Sequence, residues 1–403
     1  MTENVDVVVI GAGALGSSVA FHLAREGRSV ALMDKCEIGS QTSARAAGLT
    51  GQVRRSEMMT RLAKRAVDKF IGFADETGEP LAFHQSGSVT LARTPEHAAL
   101  IHGAAELANH CGIEARIIAP VEAQELMPSL HATGILAAGY VPSDVYMEPE
   151  QLAVAYARAA TRRGAKLMPN SPVREIVVEN GAVCAVLTDE HTIRTSAVVD
   201  AAGGWLRLVA SLAAARVPVV PTKHQLMITV PLAGVASTQP TVRILDANAY
   251  VRPCRGGLMF GGYEKTPTQL NSDAALAGLR VEDLEFDLAI LRDLAEDVHE
   301  QFPVLRGVAL QEHRGGLPTL TVDGDHILGP APGVRGFYVL GGCNVGGFSV
   351  SPILGELLAE WIVTGKPSMD LSRFDPGRFA PDLTENDMLE LARQRYANYY
   401  AAS

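Results

Sequence analysis

A chain of 403 residues, 47% hydrophobic and 20% charged, has the make-up of an ordinary globular protein, long enough to bury a large core and to form two domains. Its formal net charge of −10 excludes the basic face that a nucleic-acid partner requires. Five cysteines, scattered, odd in number and without CxxC spacing, point to reduced thiols in a cytoplasmic protein and offer no metal site.

The acidic start has no basic region ahead of a cleavable apolar stretch, and no run of 18 apolar residues follows, so neither a signal peptide nor a membrane span is expected. Residues 5–10 instead form a nearly unbroken apolar strand that ends in Gly11-Ala-Gly13-Ala14-Leu15-Gly16. Val19, Ala20, Leu23 and Ala24 then fall at helical spacing, Gly27 stops the helix, and a second strand ends at Asp34. This is a βαβ unit built to hold a dinucleotide. Gly11 allows the tight turn, Gly13 admits a pyrophosphate, Gly16 lets helix pack on strand, and Asp34 accepts hydrogen bonds from ribose hydroxyls.

Residues 35–51 are rich in Gly, Ser and Ala, suited either to lie along an extended cofactor or to form a surface loop. An amphipathic helix follows over 54–77, with Leu62, Ala66, Phe70 and Phe73 on one face. Strand is expected over 83–91, helix over 95–111 and 121–127, strand and turn over 139–148, and helix over 150–163. A short strand at 165–168 precedes a hairpin turning at Glu179-Asn-Gly181, and a strand over 192–199 runs into a second glycine junction, Asp200-Ala-Ala202-Gly203-Gly-Trp205.

Residues 217–230 and 250–263 alternate as antiparallel strands do, and 281–302 reads as helix. The strand 337–340 enters a third glycine junction from Gly341 to Gly347, after which Ser351 and Pro352 read as N-cap and first residue of a helix over 353–363. The positive end of such a helix would stabilise an electron-accepting ring that gains negative charge, unless the glycines serve only helix packing. The expectation is an α/β protein with a discontinuous nucleotide domain (1–80, 140–216 and 316–380), an antiparallel-sheet α+β substrate domain (81–139 and 217–315), and a C-terminal helical tail (381–403).

With its three glycine junctions and the loop Ser43-Ala-Arg45-Ala-Ala47-Gly48, the chain resembles the FAD-dependent D-amino-acid-oxidase superfamily, a Rossmann-like FAD-binding fold, from Val5 to about Phe379. Ala46-Ala-Gly-Leu49, Lys223-His-Gln225 and Leu371-Ser-Arg-Phe-Asp-Pro376 resemble its sarcosine and dimethylglycine dehydrogenase and oxidase branch, without the folate-binding half of the long members. The resemblance implies a flavin module, stand-alone or a subunit of a homo-oligomer or heteromer. Residues expected to face FAD are Gly11, Gly13, Ala14, Leu15, Gly16, Asp34, Lys35, Ser43, Arg45, Ala47, Gly48, Leu49, Val173, Ala202, Gly203, Trp205, Gly342, Asn344, Gly346, Gly347, Phe348 and Ser349.

The chain departs from that pattern at four positions. Arg45 stands where long members carry a flavin-tethering histidine, and Gly316 where monomeric sarcosine oxidases carry a tethering cysteine, so FAD is expected to be non-covalent. Met259 replaces the lysine that assists reaction with oxygen, which favours a dehydrogenase passing electrons to an electron-transfer protein over an oxidase using O2. Ser349 replaces a carboxylate-binding lysine.

His224 is a candidate to act as a base or to orient the amine, its ordinary pKa lying near neutrality, or else a sheet histidine; Tyr250 matches a tyrosine of the branch, or else packs. Arg54, Arg55, Arg252 and Arg314 are candidates for a bidentate clamp on a substrate carboxylate, with His313 a weaker site candidate. Cys343 reads as a small buried thiol. The expected reaction is oxidation of a secondary or tertiary amine, an N-methyl amino acid, by hydride transfer to FAD. The alternatives are oxidation of a primary or cyclic amino acid or a 2-hydroxy acid, and a FAD-binding subunit that needs a partner chain.

Overall fold

A computed structural model describes residues 2–402. Around Val7–Ile10 lies a six-stranded sheet ordered Ile327–Pro330, Phe337–Gly341, Ala197–Asp200, Val7–Ile10, Val30–Met33, Lys166–Met168. Its strands are parallel except Ile327–Pro330, which runs antiparallel to Phe337–Gly341. Successive side chains leave opposite faces of a strand. Val7 and Val9 pack with Val19, Leu23, Ile353 and Leu357 of the helices Ala14–Arg25 and Gly347–Thr364. Val8 and Ile10 pack the other way, with Ile176, Val186 and Ile193 of a second layer. Burial on both faces explains why the run is apolar throughout rather than alternating.

That second layer is a four-stranded sheet of Thr2–Asn4, Thr192–Arg194, Ala182–Leu187 and Glu175–Glu179. The expected hairpin turns at Asn180 and Gly181, both with positive φ. The expected strand over 192–199 is two strands in different sheets, Thr192–Arg194 and Ala197–Asp200. Between them the Thr195 hydroxyl lies 2.9 Å from the Asp6 carbonyl and 3.0 Å from the Ala197 carbonyl, with one proton to share between them, and turns the chain from one layer into the next.

An eight-stranded sheet is ordered Leu310–Gly316, His224–Thr229, Gly257–Gly262, Ala249–Cys254, Thr241–Ile244, Ser88–Ala92, Ala137–Val141, Arg116–Ile118. It is antiparallel apart from the parallel pair Thr241–Ile244 and Ser88–Ala92. Ala137–Val141 belongs wholly to this sheet, although the expected boundary at 139/140 runs through it.

Three expected helices are reshaped. That over 54–77 starts at Glu57, where the Ser56 hydroxyl accepts from Met59 N, and is interrupted at Gly72. Of 281–302, only Leu288–Asp297 is α-helical, while Val281–Asp283 is a single 3-10 turn. Val281 is buried with Trp205, Leu276 and Leu317, and its N–H donates to Gln41 Oε1 (2.8 Å), so docking on the loop after Asp34 overrides the helical periodicity there. The helix expected from 353 begins at Gly347 and contains Pro352. Near the C-terminus, Glu385–Ala397, capped by Thr384 and Asp387, buries Met388, Ala392 and Tyr396 against Tyr250 and Tyr263 and leads into Tyr399–Ala402. Among the described residues, no helix is long and apolar enough to cross a membrane.

Candidate active site

A cavity of about 410 Å³ runs along the carboxyl ends of the parallel strands, where open α/β sheets bind their ligands. It passes from Asp34 and Lys35, over Gly11 to Leu15 and Ala201 to Trp205, to Gly347 and Phe348. A Cβ on Gly13 would stand 2.9 Å from Ser43 Oγ, which accepts from Ala14 N (3.0 Å), so the bare glycine leaves the cradle that a pyrophosphate needs. Asp34 accepts from Ala12 N (2.7 Å) and Cys36 N (2.8 Å). Each carboxylate oxygen keeps a lone pair for a ribose hydroxyl. Burial raises the Asp34 pKa, and the two backbone donors oppose that rise. These residues fit the dinucleotide half of FAD.

Of the residues expected to face FAD, Gly11, Gly13, Ala14, Leu15, Asp34, Lys35, Ser43, Val173, Ala202, Gly203, Trp205, Gly347 and Phe348 line this cavity. Arg45, Ala47, Gly48, Leu49, Gly346 and Ser349 line the adjoining one. Gly16, Gly342 and Asn344 line neither. Gly16 packs on the Gly11 carbonyl. Asn344, at positive φ, donates to the Gly342 carbonyl (2.8 Å) and accepts from Thr321 N (2.9 Å), so it fixes the shape of the third glycine turn from behind. Lys35 closes a wall: its amine donates to the Leu279 carbonyl (2.7 Å) and lies 4.0 Å from the Trp205 ring centroid.

The adjoining cavity, about 680 Å³, shares Thr42, Ala46, Pro318, Val345 and Phe348 with the first. His224 and Tyr250 line it. His224 Nε2 is 3.0 Å from Tyr250 Oη and Nδ1 is 2.8 Å from Tyr396 Oη, while Tyr396 donates onward to Glu264 Oε2 (2.8 Å). Tyr250 lies across its register partner Gly261, where any side chain would overlap its ring. Burial pushes the Tyr250 hydroxyl well up and brings His224 down to about 4. His224 is therefore neutral at physiological pH, a weaker base than its ordinary pKa implies and placed to hydrogen-bond Tyr250 and Tyr396.

The arginines separate by surroundings. Arg252 is fully buried; its guanidinium donates to the carbonyls of Ala47 (2.7 Å) and Pro253 (2.8 Å) and to Glu148 Oε1 (3.0 Å). Arg314 donates to Ala46 O (3.2 Å) and pairs with Glu150 and Glu312. Neither lines the substrate-side cavity as expected of a substrate clamp; both brace the loop between the two cavities. His313 is also outside, bonded to Gln225 (2.9 Å). Arg55 is exposed at the mouth.

Arg54 lines the cavity, with Nη2 3.5 Å from Ser349 Oγ, so it brings a cation to the side chain that stands in place of the family lysine. Arg243, which the sequence reading did not single out, lines the same space and faces the Tyr400 hydroxyl. Burial lowers the Arg54 pKa, and Arg243 adds to the shift. Among the described residues, neither arginine forms a salt bridge, and the nearby Asp144 is already held by Gln52 and Ser88. The walls also include Tyr263, Tyr399 and Tyr400. A signal for the last two was present: residues 396–400 hold three of the nine tyrosines.

Gly316 and Arg45 both line this cavity and offer no nucleophile to a flavin. Cys343 faces the cofactor side, but burial pushes its thiol up to about 12. Met259 is buried with Leu226, Ile228 and Cys254 against Ala47.

The sequence matches the DAO family, described as FAD dependent oxidoreductase, over residues 6–361. It is 31% identical to dimethylglycine dehydrogenase of Mus musculus, over 98% of this chain and 46% of that protein. It is 30% identical to sarcosine dehydrogenase of Homo sapiens, over 100% of this chain and 44% of that protein. The chain thus spans less than half the length of these curated relatives. Its fold is similar to that of L-proline dehydrogenase from P. horikoshii, with a TM-score of 0.84 and 28% identity, covering 94% of this chain and 98% of that one. A dinucleotide cradle, an adjoining cavity lined by two arginines without a salt bridge among the described residues, and a family match across most of the sequence agree: the chain belongs to the DAO family of FAD-dependent oxidoreductases.

Proposed function

We propose that the protein oxidises a secondary or tertiary amine that carries a carboxylate, an N-methyl amino acid of the kind named in its dehydrogenase relatives. The observation that carries this reading is the pair Arg54 and Arg243, two cations on one cavity wall without a salt bridge among the described residues. Holding like charges together in a partly desolvated space is unfavourable until an anion arrives. A substrate carboxylate, bound through charge-assisted hydrogen bonds, supplies it. FAD bound in the dinucleotide cavity would accept the hydride from the substrate carbon.

The chain's own residues prepare the amine. Hydride loss requires a free lone pair on nitrogen, so the ammonium must first give a proton to solvent water at the open cavity mouth, where Arg55 is exposed. Burial beside two cations lowers the pKa of an ammonium, which favours that loss. The Tyr250 hydroxyl, hydrogen-bonded to neutral His224, presents an oxygen to the amine end. The imine product hydrolyses in water, and an oxidised N-methyl carbon leaves as formaldehyde.

The test is anaerobic mixing of the purified flavoprotein with sarcosine, dimethylglycine, 4-methylaminobutyrate, proline, glycine and 2-hydroxyglutarate, followed by flavin absorbance and formaldehyde. Bleaching by an N-methyl amino acid with release of formaldehyde is the expected result. A second reading, oxidation of a cyclic amino acid, is favoured by the likeness to the proline dehydrogenase structure. Bleaching by proline alone, with no formaldehyde, would put that reading first. A flavin that no amine bleaches would point to a subunit that needs a partner chain.

A further inference from the structure

The geometry points to Glu264, acting through Tyr396, as the positioning group that decides which nitrogen of His224 carries its proton and hence which way the Tyr250 hydroxyl donates. The inference deepens the amine-oxidation reading and rests on it only for its kinetic consequence.

A phenol has one proton to give. Tyr396 gives its proton to Glu264 Oε2 at 2.8 Å, so toward His224 its oxygen only accepts. The atom 2.8 Å away on that side is Nδ1, which must therefore carry the imidazole proton. A neutral imidazole has a single N–H, so Nε2 is bare and accepts from Tyr250 Oη at 3.0 Å. The proton of Tyr250 is then committed to His224, and toward the cavity its oxygen offers lone pairs alone, which leaves the lone pair of a neutral amine free. Without the carboxylate, Tyr396 is free to donate to Nδ1, which reverses every bond in the chain. Tyr250 would then point its O–H into the cavity and tie up the amine lone pair that hydride loss needs.

The surroundings leave this chain in control of the ring. Tyr263 stacks on His224 with centroids 5.0 Å apart, and Gly316 is opposite in register. The Lys223 amine is turned to the Glu285 carbonyl, and Arg314 is engaged by Glu150 and Glu312. Beside Glu264, the Arg393 guanidinium donates to the Lys265 carbonyl.

The test uses holoenzyme labelled with 15N-histidine, the His224 signals being identified by their loss in His224→Gln. A protonated Nδ1 and a bare Nε2 are expected in the parent protein. Tyr396→Phe, which keeps the ring, and Glu264→Gln, whose amide both donates and accepts, should each shift His224 to the other tautomer or a mixture. With an amine that bleaches the parent, Tyr396→Phe should slow flavin reduction roughly tenfold or more while substrate affinity stays within about twofold. A protonated Nε2 in the parent, or a protonated Nδ1 and bare Nε2 kept unchanged in the variants, overturns the inference. The tautomer is read without substrate, so a failure of the amine-oxidation reading leaves this result standing. Should Tyr396→Phe not fold, Glu264→Gln decides alone.

Discussion

Arg252 and Arg54 flank the same loop yet should respond in opposite ways to removal of their charge. Arg252 is fully buried, and its N–H groups satisfy two carbonyls and Glu148. Arg252→Met orphans those acceptors, at a cost of about 3–5 kcal/mol, so urea unfolding of the holoenzyme should shift by that much. Among the described residues, the Arg54 guanidinium donates to Ser349 at 3.5 Å and to the Val53 carbonyl at 3.1 Å and forms no salt bridge, beside the like charge of Arg243 and with Asp144 nearby. Arg54→Met should leave substrate-free stability unchanged or higher and raise KM about 10- to 100-fold, the worth of a hydrogen bond to a charged group. If Arg54→Met destabilises as Arg252→Met does and leaves KM alone, the carboxylate clamp is wrong. From the sequence these arginines look alike, because residue type does not say which strand face meets the cavity. Arg243 could have been found from pairing: it sits opposite Tyr250 in the antiparallel ladder and so shares its face.

At the scale of the element, the helix Gly347–Thr364 shows how a local rule misplaces a boundary. Ser351 and Pro352 have the chemistry of a helix start, yet the helix begins one turn earlier. Pro352 offers no N–H to the Phe348 carbonyl, and the Ser351 hydroxyl donates to that oxygen instead (2.9 Å). Ser351→Ala should then leave a buried acceptor unsatisfied and cost about 1–3 kcal/mol in urea unfolding. Adding Pro352→Ala restores an N–H at the vacant position and should recover most of the loss; a purely additive pair of effects would refute the compensation. Elements set by their own periodicity, such as Val7–Ile10 and Glu150–Arg162, were legible in the sequence. Those recruited by distant partners were not: Val281 leaves its expected helix for Trp205 and Leu317, and the parallel pairing of Ser88–Ala92 with Thr241–Ile244 joins strands with no local relation.

For the whole molecule, packing three sheets and their helices closely enough to enclose two cavities also encloses histidines that would otherwise titrate near neutrality. His22 and His326 are almost fully buried, and among the described residues no ring nitrogen of either has a partner in hydrogen-bond geometry, although His22 faces the Pro352 backbone and His326 the Gly342 backbone. Burial lowers His22 well below its ordinary value and brings His224 and His326 down to about 4. A folded-state pKa below the unfolded value of 6.5 means that, as pH falls through 6.5, the unfolded chain takes up protons that the folded protein refuses. Stability from these rings is complete above that value and is lost on the way down toward about 4. Asp200, a buried carboxyl raised well above its ordinary 3.8, acts in the opposite sense: its contribution is present in acid and is lost as pH rises. Total stability against pH therefore mixes both signs, and a difference between variants isolates one group. His326→Gln removes one refusing ring and should reduce the stability lost between about pH 8 and pH 5 by roughly 2 kcal/mol relative to the parent. Urea unfolding of both proteins at the two pH values measures that difference. Equal losses in parent and variant would mean that His326 takes up its proton in the folded protein, and that the layer between the third glycine junction and Phe374 admits water that its packing is expected to exclude.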